Sequence, residues 1–416
     1  MVKVQPPSAS ILSLGSLLSA KVKFFLSESK LHVWRCGKAY PPGSLVTVVT
    51  LFLVESISTR IIVGEEEFRA LEDASFVKTS GSGFVIVHDI VRARGGKMSD
   101  QEGNRITEPE TLSECLKNEE KLKKLKGVLF NEEYGQPPIE ITETHLNCMS
   151  DSLKLLAFKG SQIIFRQKCH KPFKQLRYLG IPSDVTDLPM EFAKLGRLTK
   201  YRGPLTQGMS MYELPPSLCS MHIIGSYENE VAYSKAPPRA APASSLVKLF
   251  LYDMQRLPHG LEKLTKLQKL YLVQCKQLRE IPSTLLNFNN LQVLRISECH
   301  ELRELPSDFG QQGNLISLDL SGCSKLGVLP SSFEDLISLK KLKLKRCSSL
   351  QSLPSNFGQL KILEELNLGC CSKLEEWPTS FGDLQKMKKL VLVGCSSKLK
   401  ETVPHNIRQN CSIIFD

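Results

Sequence analysis

The residues of this sequence most able to do chemistry are its cysteines, of which there are 13 in 416 residues. Thiols can bind metals, form disulfides or carry redox chemistry. The total is odd, and six of them recur in steps of 24 residues: Cys275, Cys299, Cys323, Cys347, Cys371 and Cys395. A disulfide framework does not have this pattern, which favours a reducing compartment. We expect these six thiols to be reduced and buried as small hydrophobic groups; the alternative is a metal or redox ladder.

The other reactive residues form no recognisable constellation. The eight histidines are scattered without metal-ligand spacing, and no Ser-His-Asp, Cys-His or paired-carboxylate arrangement stands out. No G-x-x-x-x-G-K-[ST] phosphate-binding loop occurs. Cys370, next to Cys371, is expected to point outward as an exposed thiol. We therefore predict that the chain is not an enzyme and needs neither a cofactor nor a metal.

Leucines around the cysteines keep the same period and show which elements position them. Leu339, Leu342, Leu344, Cys347 and Leu350 follow L-x-x-L-x-L-x-x-C-x-x-L, and an apolar-Pro pair comes after each unit. A phenylalanine follows four of the prolines by three residues: Phe309, Phe333, Phe357 and Phe381. The period lies in the leucine-rich-repeat range. It predicts an α/β solenoid, in which each L-x-L segment is a strand of a curved, parallel sheet on the concave face.

The solenoid is predicted to cover residues 127–416. Weaker units precede the regular ones, and an irregular loop rich in proline and alanine is expected at 234–245. A helix rich in lysine and glutamate should link the array to the preceding chain over 106–126. Residues 1–60 are basic, show no period and are expected to be a poorly ordered leader. A secretory signal peptide is not favoured there, and no segment reaches the roughly 18 apolar residues of a membrane span.

Residues 61–105 have the pattern of a small winged-helix-like remnant. A helix is expected over 68–74, a β-hairpin over 76–87 with a Ser-Gly turn, and a second helix after Asp89. Val87, His88 and Asp89 resemble the Met-His-Asp motif at the end of the winged helix in plant nucleotide-binding leucine-rich-repeat disease-resistance proteins, with valine in place of methionine. The cysteine-bearing repeats with Leu-Pro and Phe-Gly also resemble the intracellular receptors of this family.

The resemblance covers roughly residues 65–416 and implies an intracellular, cytoplasmic protein of plant innate immunity. In that family the motif histidine senses bound ADP, a role that would fall on His88. Because the phosphate-binding loop is missing here, one histidine cannot hold a nucleotide. We therefore expect Val87, His88 and Asp89 to be vestigial, with no ADP or ATP bound.

Function is expected on the concave face, at outward-pointing strand positions and the charged residues beside them. The candidate ligand-binding residues are Tyr271, Arg295, Asp319, Lys340, Lys341, Lys343, Lys345, Arg346, Glu364, Glu365, Asn367, Lys388 and Lys389. Alternating basic and acidic coils can pair with one another, or they can orient a charged protein partner. Aromatic residues look sparse on this face, so nucleic acid is not an expected partner.

The net charge of +11 is read in the same two ways, as a solvated lysine-rich surface or as attraction for an anionic partner. The favoured function is recognition of a pathogen or host protein in plant defence. A scaffold or adaptor without a defence role is the alternative, and a nucleotide-dependent switch is less favoured.

Overall fold

The computed structural model describes residues 26–27, 30–31, 77–79, 85–87, 105–106, 109–131, 139–159, 163–182, 185, 187–206, 209–225 and 245–415. The chain divides into two compact units, Met1–Thr107 and Glu108–Asp416. The predicted proline- and alanine-rich loop lies outside the described residues except for Ser245. The helices expected on either side of the hairpin, and nearly all of the basic leader, also lie outside them.

Short strands are the described elements of the first unit. Leu26–Ser27 pairs antiparallel with Lys30–Leu31, and Arg105–Ile106 is a further strand. Val77–Thr79 pairs antiparallel with Val85–Val87. This second pairing confirms the hairpin predicted over 76–87, while the winged-helix interpretation of the region stays a prediction.

A parallel sheet runs through the second unit, with one strand in each coil of the chain. Each strand pairs in parallel with the next, as the 24-residue period predicts. The strands are Gly127–Asn131, Leu155–Lys159, Tyr178–Gly180, Lys200–Gly203, Ser220–Ile224, Lys248–Tyr252, Lys269–Val273, Val293–Ser297, Ser317–Asp319, Lys341–Lys343, Glu365–Asn367, Lys389–Val391 and Ser412–Ile414. A separate parallel pair joins Ile139–Ile141 to Ile163–Phe165.

Alternation of side chains along each strand builds the core on one side of this sheet. In the Lys341–Lys343 strand both lysines are exposed, whereas Leu342 is fully buried. Leu342 lies in register with Leu318 and Leu366 of the neighbouring strands. Rows of leucines therefore stack from coil to coil, and no coil has to bury its apolar face alone.

Short 3-10 helices close most coils on the side opposite the sheet. They span Phe192–Lys194, Leu261–Lys263, Ser283–Asn287, Phe309–Gln311, Ser331–Asp335, Phe357–Gln359 and Thr379–Asp383. The rings of Phe309, Phe333, Phe357 and Phe381 form a buried stack, with successive centroids 6.0–6.4 Å apart and ring planes 10–20° apart. Strands in a sheet are only about 4.8 Å apart. The coils therefore splay on the phenylalanine side, and the sheet lies on the concave side, as predicted.

The linking helix differs from the single helix expected within 106–126. The structure has two helices there, Pro109–Leu116 and Glu119–Lys124. Asn118 separates them, because its side-chain oxygen accepts hydrogen bonds from the backbone N–H groups of Glu120 (3.1 Å) and Lys121 (3.2 Å). Because the asparagine side chain caps the start of the second helix, the first helix ends before it. A further helix, Glu143–Met149, precedes the Leu155–Lys159 strand.

Two short helices and a strand follow the last cysteine-bearing coil. The helices are Ser397–Glu401 and His405–Asn410, and they bury Leu399 and Ile407. The Arg408 guanidinium donates to the carbonyl oxygens of Lys400 and Glu401, each at 2.8 Å. These bonds satisfy carbonyl groups at the end of the first helix, which would otherwise lack partners.

Two coils within the predicted solenoid were not recognised from the sequence. Their strands are Lys200–Gly203 and Ser220–Ile224, in which Tyr201 and Met221 take the inward position that leucine has elsewhere. Tyr201 is almost fully buried, and its hydroxyl group donates to the carbonyl oxygen of Pro204 at 2.6 Å. The hydrogen bond is what makes a tyrosine acceptable in this apolar interior.

Candidate binding face

The outward side chains of the strands form aligned rows across the sheet. The central row is defined by the register of neighbouring strands and consists of Arg202, His222, Phe250, Tyr271, Arg295, Asp319, Lys343, Asn367 and Val391. The first row lies two residues earlier in each strand and consists of Lys200, Ser220, Lys248, Lys269, Val293, Ser317, Lys341, Glu365 and Lys389. Lysines and arginines outnumber carboxylates in both rows.

The structure brings the predicted residues together on three parts of this face. Tyr271, Arg295, Asp319, Lys343 and Asn367 are neighbours in the central row, and Lys341, Glu365 and Lys389 belong to the first row. Lys340, Glu364 and Lys388 occupy the residue before each strand.

The last two predicted residues, Lys345 and Arg346, lie beyond the end of their strand. Arg346 has a φ of 62° and forms part of the turn that leads to Cys347. The residue before the cysteine has positive φ in all six cysteine-bearing coils: Gln274, Glu298, Gly322, Arg346, Cys370 and Gly394.

Several charges of the face pair with one another. Lys341 Nζ lies 2.9 Å from Glu365 Oε1, and Lys388 Nζ lies 2.7 Å from Glu364 Oε2. The hydrogen bond from Lys388 lowers the pKa of the Glu364 carboxyl group. Exposed pairs of this kind contribute about 0–1 kcal/mol each to stability. The alternative that the charged stripes pair among themselves is therefore confirmed for these coils.

Another pair lies deeper in the central row. Arg295 Nε lies 3.5 Å from Asp319 Oδ2, and the Asp319 side chain is more sheltered than any side chain of the lysine pairs. The Arg295 side chain also donates to Ser297 Oγ at 3.0 Å. These contacts fix the orientation of the guanidinium group beside Tyr271.

Five cations of the predicted set stay unpaired. Within the part of the chain that the structure describes, the following make no ion pair: Lys340, Lys343, Lys345, Arg346 and Lys389. All five side chains are exposed. Within the predicted set, they are the charges that are available to an anionic partner.

The six repeated cysteines are buried, as predicted, and none is more than 9% exposed. Each thiol donates to the carbonyl oxygen of a residue in, or directly after, the strand of the preceding coil, for example Cys347 to Leu320 at 3.2 Å and Cys371 to Leu344 at 3.1 Å. Burial raises the pKa of Cys323 and of Cys371 to about 12. A thiol held neutral by burial is a poor nucleophile and metal ligand, which fits a structural role in the turn for Cys323 and Cys371. Cys275 differs, because the hydrogen bond from the Cys299 thiol lowers its pKa. That they are reduced in the cell stays a prediction.

Cys370 differs from the exposed thiol that was expected. It is only half-buried, with a φ of 62°, and its sulfur packs against the turn at Gly394 of the next coil. The turn, rather than the strand alternation, sets its direction. Among the described residues, no group of histidine, cysteine, aspartate and glutamate side chains could hold a metal ion.

An aromatic cluster on this face was missed in the sequence and corrects the expectation that aromatic residues are sparse there. His222 and Phe250 are stacked with ring centroids 3.8 Å apart, and Phe250 and Tyr271 are stacked at 4.2 Å. Tyr252 lies two residues after Phe250 on the same strand, with its ring parallel at 6.4 Å. We call these four residues the aromatic ladder. Only Tyr271 was among the predicted site residues.

Positive charge surrounds the aromatic ladder. Burial, together with Arg202, Lys200 and Lys248, lowers the pKa of His222 to about 4, so its imidazole is neutral near pH 7. Burial raises the pKa of Tyr252 and of Tyr271, although Arg295 partly opposes both shifts. The ladder is therefore an uncharged aromatic patch in a cationic setting.

The predicted motif of Val87, His88 and Asp89 lies only partly within the described residues. Val87 ends the Val85–Val87 strand, while His88 and Asp89 lie outside the described residues. The vestigial role assigned to these three residues stays a prediction. Every helix in the described ranges is too short or too polar to cross a lipid bilayer.

Comparison with known proteins agrees with this architecture. The family model described as Leucine Rich Repeat matches residues 314–336, which include the Ser317–Asp319 strand and Cys323. No curated protein matches the chain in sequence. The fold is a leucine-rich-repeat solenoid.

Solved structures similar to the chain include two bacterial proteins. A leucine-rich-repeat protein of Leptospira interrogans is 20% identical, with 74% of this chain and 81% of that one covered and a TM-score of 0.43. An internalin of Listeria monocytogenes is 15% identical, with 72% and 92% covered and a TM-score of 0.42.

Proposed function

We propose that this chain is a protein-recognition module of plant innate immunity that binds a pathogen or host protein on the concave face of its solenoid. Solenoids create extended concave surfaces that serve for binding. The observation that carries the proposal is the group of unpaired cations at Lys343, Lys345 and Arg346, presented by a sheet whose opposite side is packed with leucine. A rigid surface lowers the ordering cost of association.

The defence role and the intracellular location rest on the resemblance of the cysteine-bearing repeats to intracellular plant receptors. The proposal includes no bound nucleotide, because the sequence lacks a phosphate-binding loop. A scaffold that assembles host proteins without a role in defence would use the same face. The two functions differ in the partner, so the partner's identity separates them.

The test begins with partners recovered from plant extract, whose association rates with the purified chain are then measured. Lys343→Glu combined with Lys345→Glu should slow association with an acidic partner at low salt and have little effect at high salt, because salt screens long-range attraction. Lys345 is preferable to Lys341 here, since Lys341 already pairs with Glu365.

The matched control is Lys373→Glu combined with Lys386→Glu, which changes the net charge equally at two exposed lysines outside the strands. If both double variants slowed association equally, the effect would be due to net charge alone. Equal binding by the wild type and the face variant at low salt, with unchanged circular dichroism, would contradict the proposal.

A further inference from the structure

The aromatic ladder is not explained by the needs of the fold. Leu249 and Leu251 of the same strand are fully buried and supply its share of the core, whereas Phe250 between them points outward and is half-buried. His222, Tyr252 and Tyr271 are also half-buried on the outward side. Aromatic residues held in a rigid, partly desolvated patch are the side chains that dominate binding energy in protein interfaces.

The stacking geometry decides which part of each ring a partner can touch. In-register strands place the rings of His222, Phe250 and Tyr271 face against face, with planes 9–19° apart. Most ring faces are therefore covered within the ladder, and the edges point into the concavity. A nucleobase binds by stacking on an open ring face, which this arrangement does not offer along its length.

Ring edges and their surroundings favour negative charge together with apolar groups. The edge of an aromatic ring carries the positive part of its quadrupole. Lys200 and Lys248 of the first row lie beside the ladder, and Arg202 and Arg295 are at its two ends in the central row. Tyr252 and Tyr271 add hydroxyl groups. His222 adds no charge of its own near pH 7.

We infer that the aromatic ladder is the anchor site for an extended acidic segment of the partner protein in which aspartate or glutamate alternates with aliphatic residues. The aliphatic side chains bury the edges of Phe250 and Tyr271, and the carboxylates meet the surrounding lysines and arginines. This inference rests on the proposed function, because it names the part of the partner that the concave face would hold. It places the main contact upstream of the basic coil at Lys343.

The experiment selects displayed random twelve-residue peptides on the purified full-length chain and measures affinities of the synthesised winners by fluorescence polarisation. The winners should be enriched in acidic and aliphatic residues. Phe250→Ala should weaken their binding at least tenfold, because a central aromatic contact is lost. Lys200→Glu combined with Lys248→Glu should weaken it to a similar extent and cannot disturb the core, which covers the case in which the Phe250 variant misfolds. Lys373→Glu combined with Lys386→Glu, at two exposed lysines outside the strands, is the matched control and should bind within about threefold of wild type. Lys343→Glu combined with Lys345→Glu is measured beside it to locate the anchor along the face.

Several results would overturn the inference. The selection could yield no enriched peptides, or the selected peptides could lack an excess of acidic residues. The selected peptides could also bind the ladder variants as tightly as they bind the wild type. Winners that depend only on Lys343 and Lys345 would move the anchor to the basic coil and leave the proposed function intact. An oligothymidylate of twenty nucleotides is tested in parallel. If the oligothymidylate bound more tightly than every peptide, and Phe250→Ala abolished that binding, the ladder would be a nucleic-acid site. That result would refute the inference.

Discussion

The cysteine position shows how one buried side chain stabilises a turn of the solenoid. The thiol of each regular coil lies in the core and donates to a carbonyl oxygen of the previous coil, at 3.1–3.2 Å for Cys323, Cys347, Cys371 and Cys395. A thiol is small, costs little to bury and still offers a weak donor. The residue before it has positive φ, which turns the chain out of the strand.

Replacing one such thiol by a hydroxyl group should destabilise the solenoid. Cys347→Ser is expected to lower the free energy of unfolding by about 1–2 kcal/mol, because a hydroxyl costs more to desolvate and reaches the Leu320 carbonyl less well. Urea unfolding followed by circular dichroism measures the change. Cys370→Ser is the control and should change stability by less than about 0.5 kcal/mol, because the side chain is half-buried. Equal losses in the two variants would contradict the role assigned to the buried thiols.

His222 should make the stability depend on pH. Its folded pKa of about 4 lies below its ordinary value of 6.5, so the unfolded chain binds the proton more readily. The contribution of neutral His222 to the free energy of unfolding is fully present above pH 6.5 and is lost as the pH falls through 4. The loss should amount to roughly 2–3 kcal/mol between these limits.

His222→Phe keeps the stacked ring and removes the titration. The difference in unfolding free energy between wild type and this variant should therefore change by that amount between pH 7 and pH 4. A difference that stays constant over this range would show that the imidazole is not held neutral.

The turns after Phe309 and Phe357 are the elements that bring neighbouring coils closest together on the convex side. The backbone N–H of Gly358 donates to Ser380 Oγ of the next coil at 2.9 Å, and Gly310 donates to Ser332 Oγ in the same way at 3.1 Å. A Cβ on either glycine would overlap the backbone of that serine. At the matching position of the Phe381 turn, a Cβ on Gly382 would meet only ordinary neighbours, the nearest being Asn406 Oδ1 at 3.4 Å.

Gly358→Ala should therefore force the two coils apart. We expect a loss of about 1–3 kcal/mol, typical of overpacking in a close-packed interior. Gly382→Ala, one coil later, should change stability by less than about 0.5 kcal/mol. Thermal unfolding of the two variants and the wild type makes the comparison. If Gly358→Ala left the stability unchanged, the coils would be less tightly spaced on this side than the structure indicates.

The limits of prediction also appear at the level of elements. The coils from Cys275 onward were predicted because most positions of the repeat keep one residue type. The Lys200–Gly203 and Ser220–Ile224 coils were missed because tyrosine and methionine stand where leucine was sought. The aromatic ladder was hidden for another reason. Its members in the central row are separated by 28 residues (222 to 250) and by 21 residues (250 to 271), and only the strand register brings them side by side.

The charged residues of the face show a second limit of prediction from the sequence. Strand periodicity predicts that Lys341 and Lys343 both face outward, which the structure confirms. It does not predict that Lys341 pairs with Glu365 while Lys343 has no ion pair among the described residues. Pairing depends on side-chain rotamers and on which coil lies alongside. For this reason the sequence predicted which residues face outward but not which of their charges lack an ion pair.

At the scale of the whole array, each coil is stabilised mainly by its two neighbours. Solenoid stability is a sum of repeat and interface contributions, so damage to one coil should spread over a short range. Leu342→Ala, in the fully buried row, should cost about 2–5 kcal/mol. Hydrogen exchange should accelerate in the Ser317–Asp319 and Glu365–Asn367 strands and stay unchanged in Tyr178–Gly180. Uniform acceleration along the sheet would instead indicate one cooperative unit.

The constant 24-residue step has a genetic consequence for the concave face. An in-frame duplication or deletion of one unit inserts or removes a whole coil, and the flanking coils still meet matching surfaces. Two intact strands lie between the Lys269–Val273 strand of the aromatic ladder and the Lys341–Lys343 strand. Each event there would change the distance between Tyr271 and Lys343 by about 4.8 Å without altering either contact patch. Unequal recombination can thus vary the spacing between the two proposed binding patches while their chemistry is inherited unchanged.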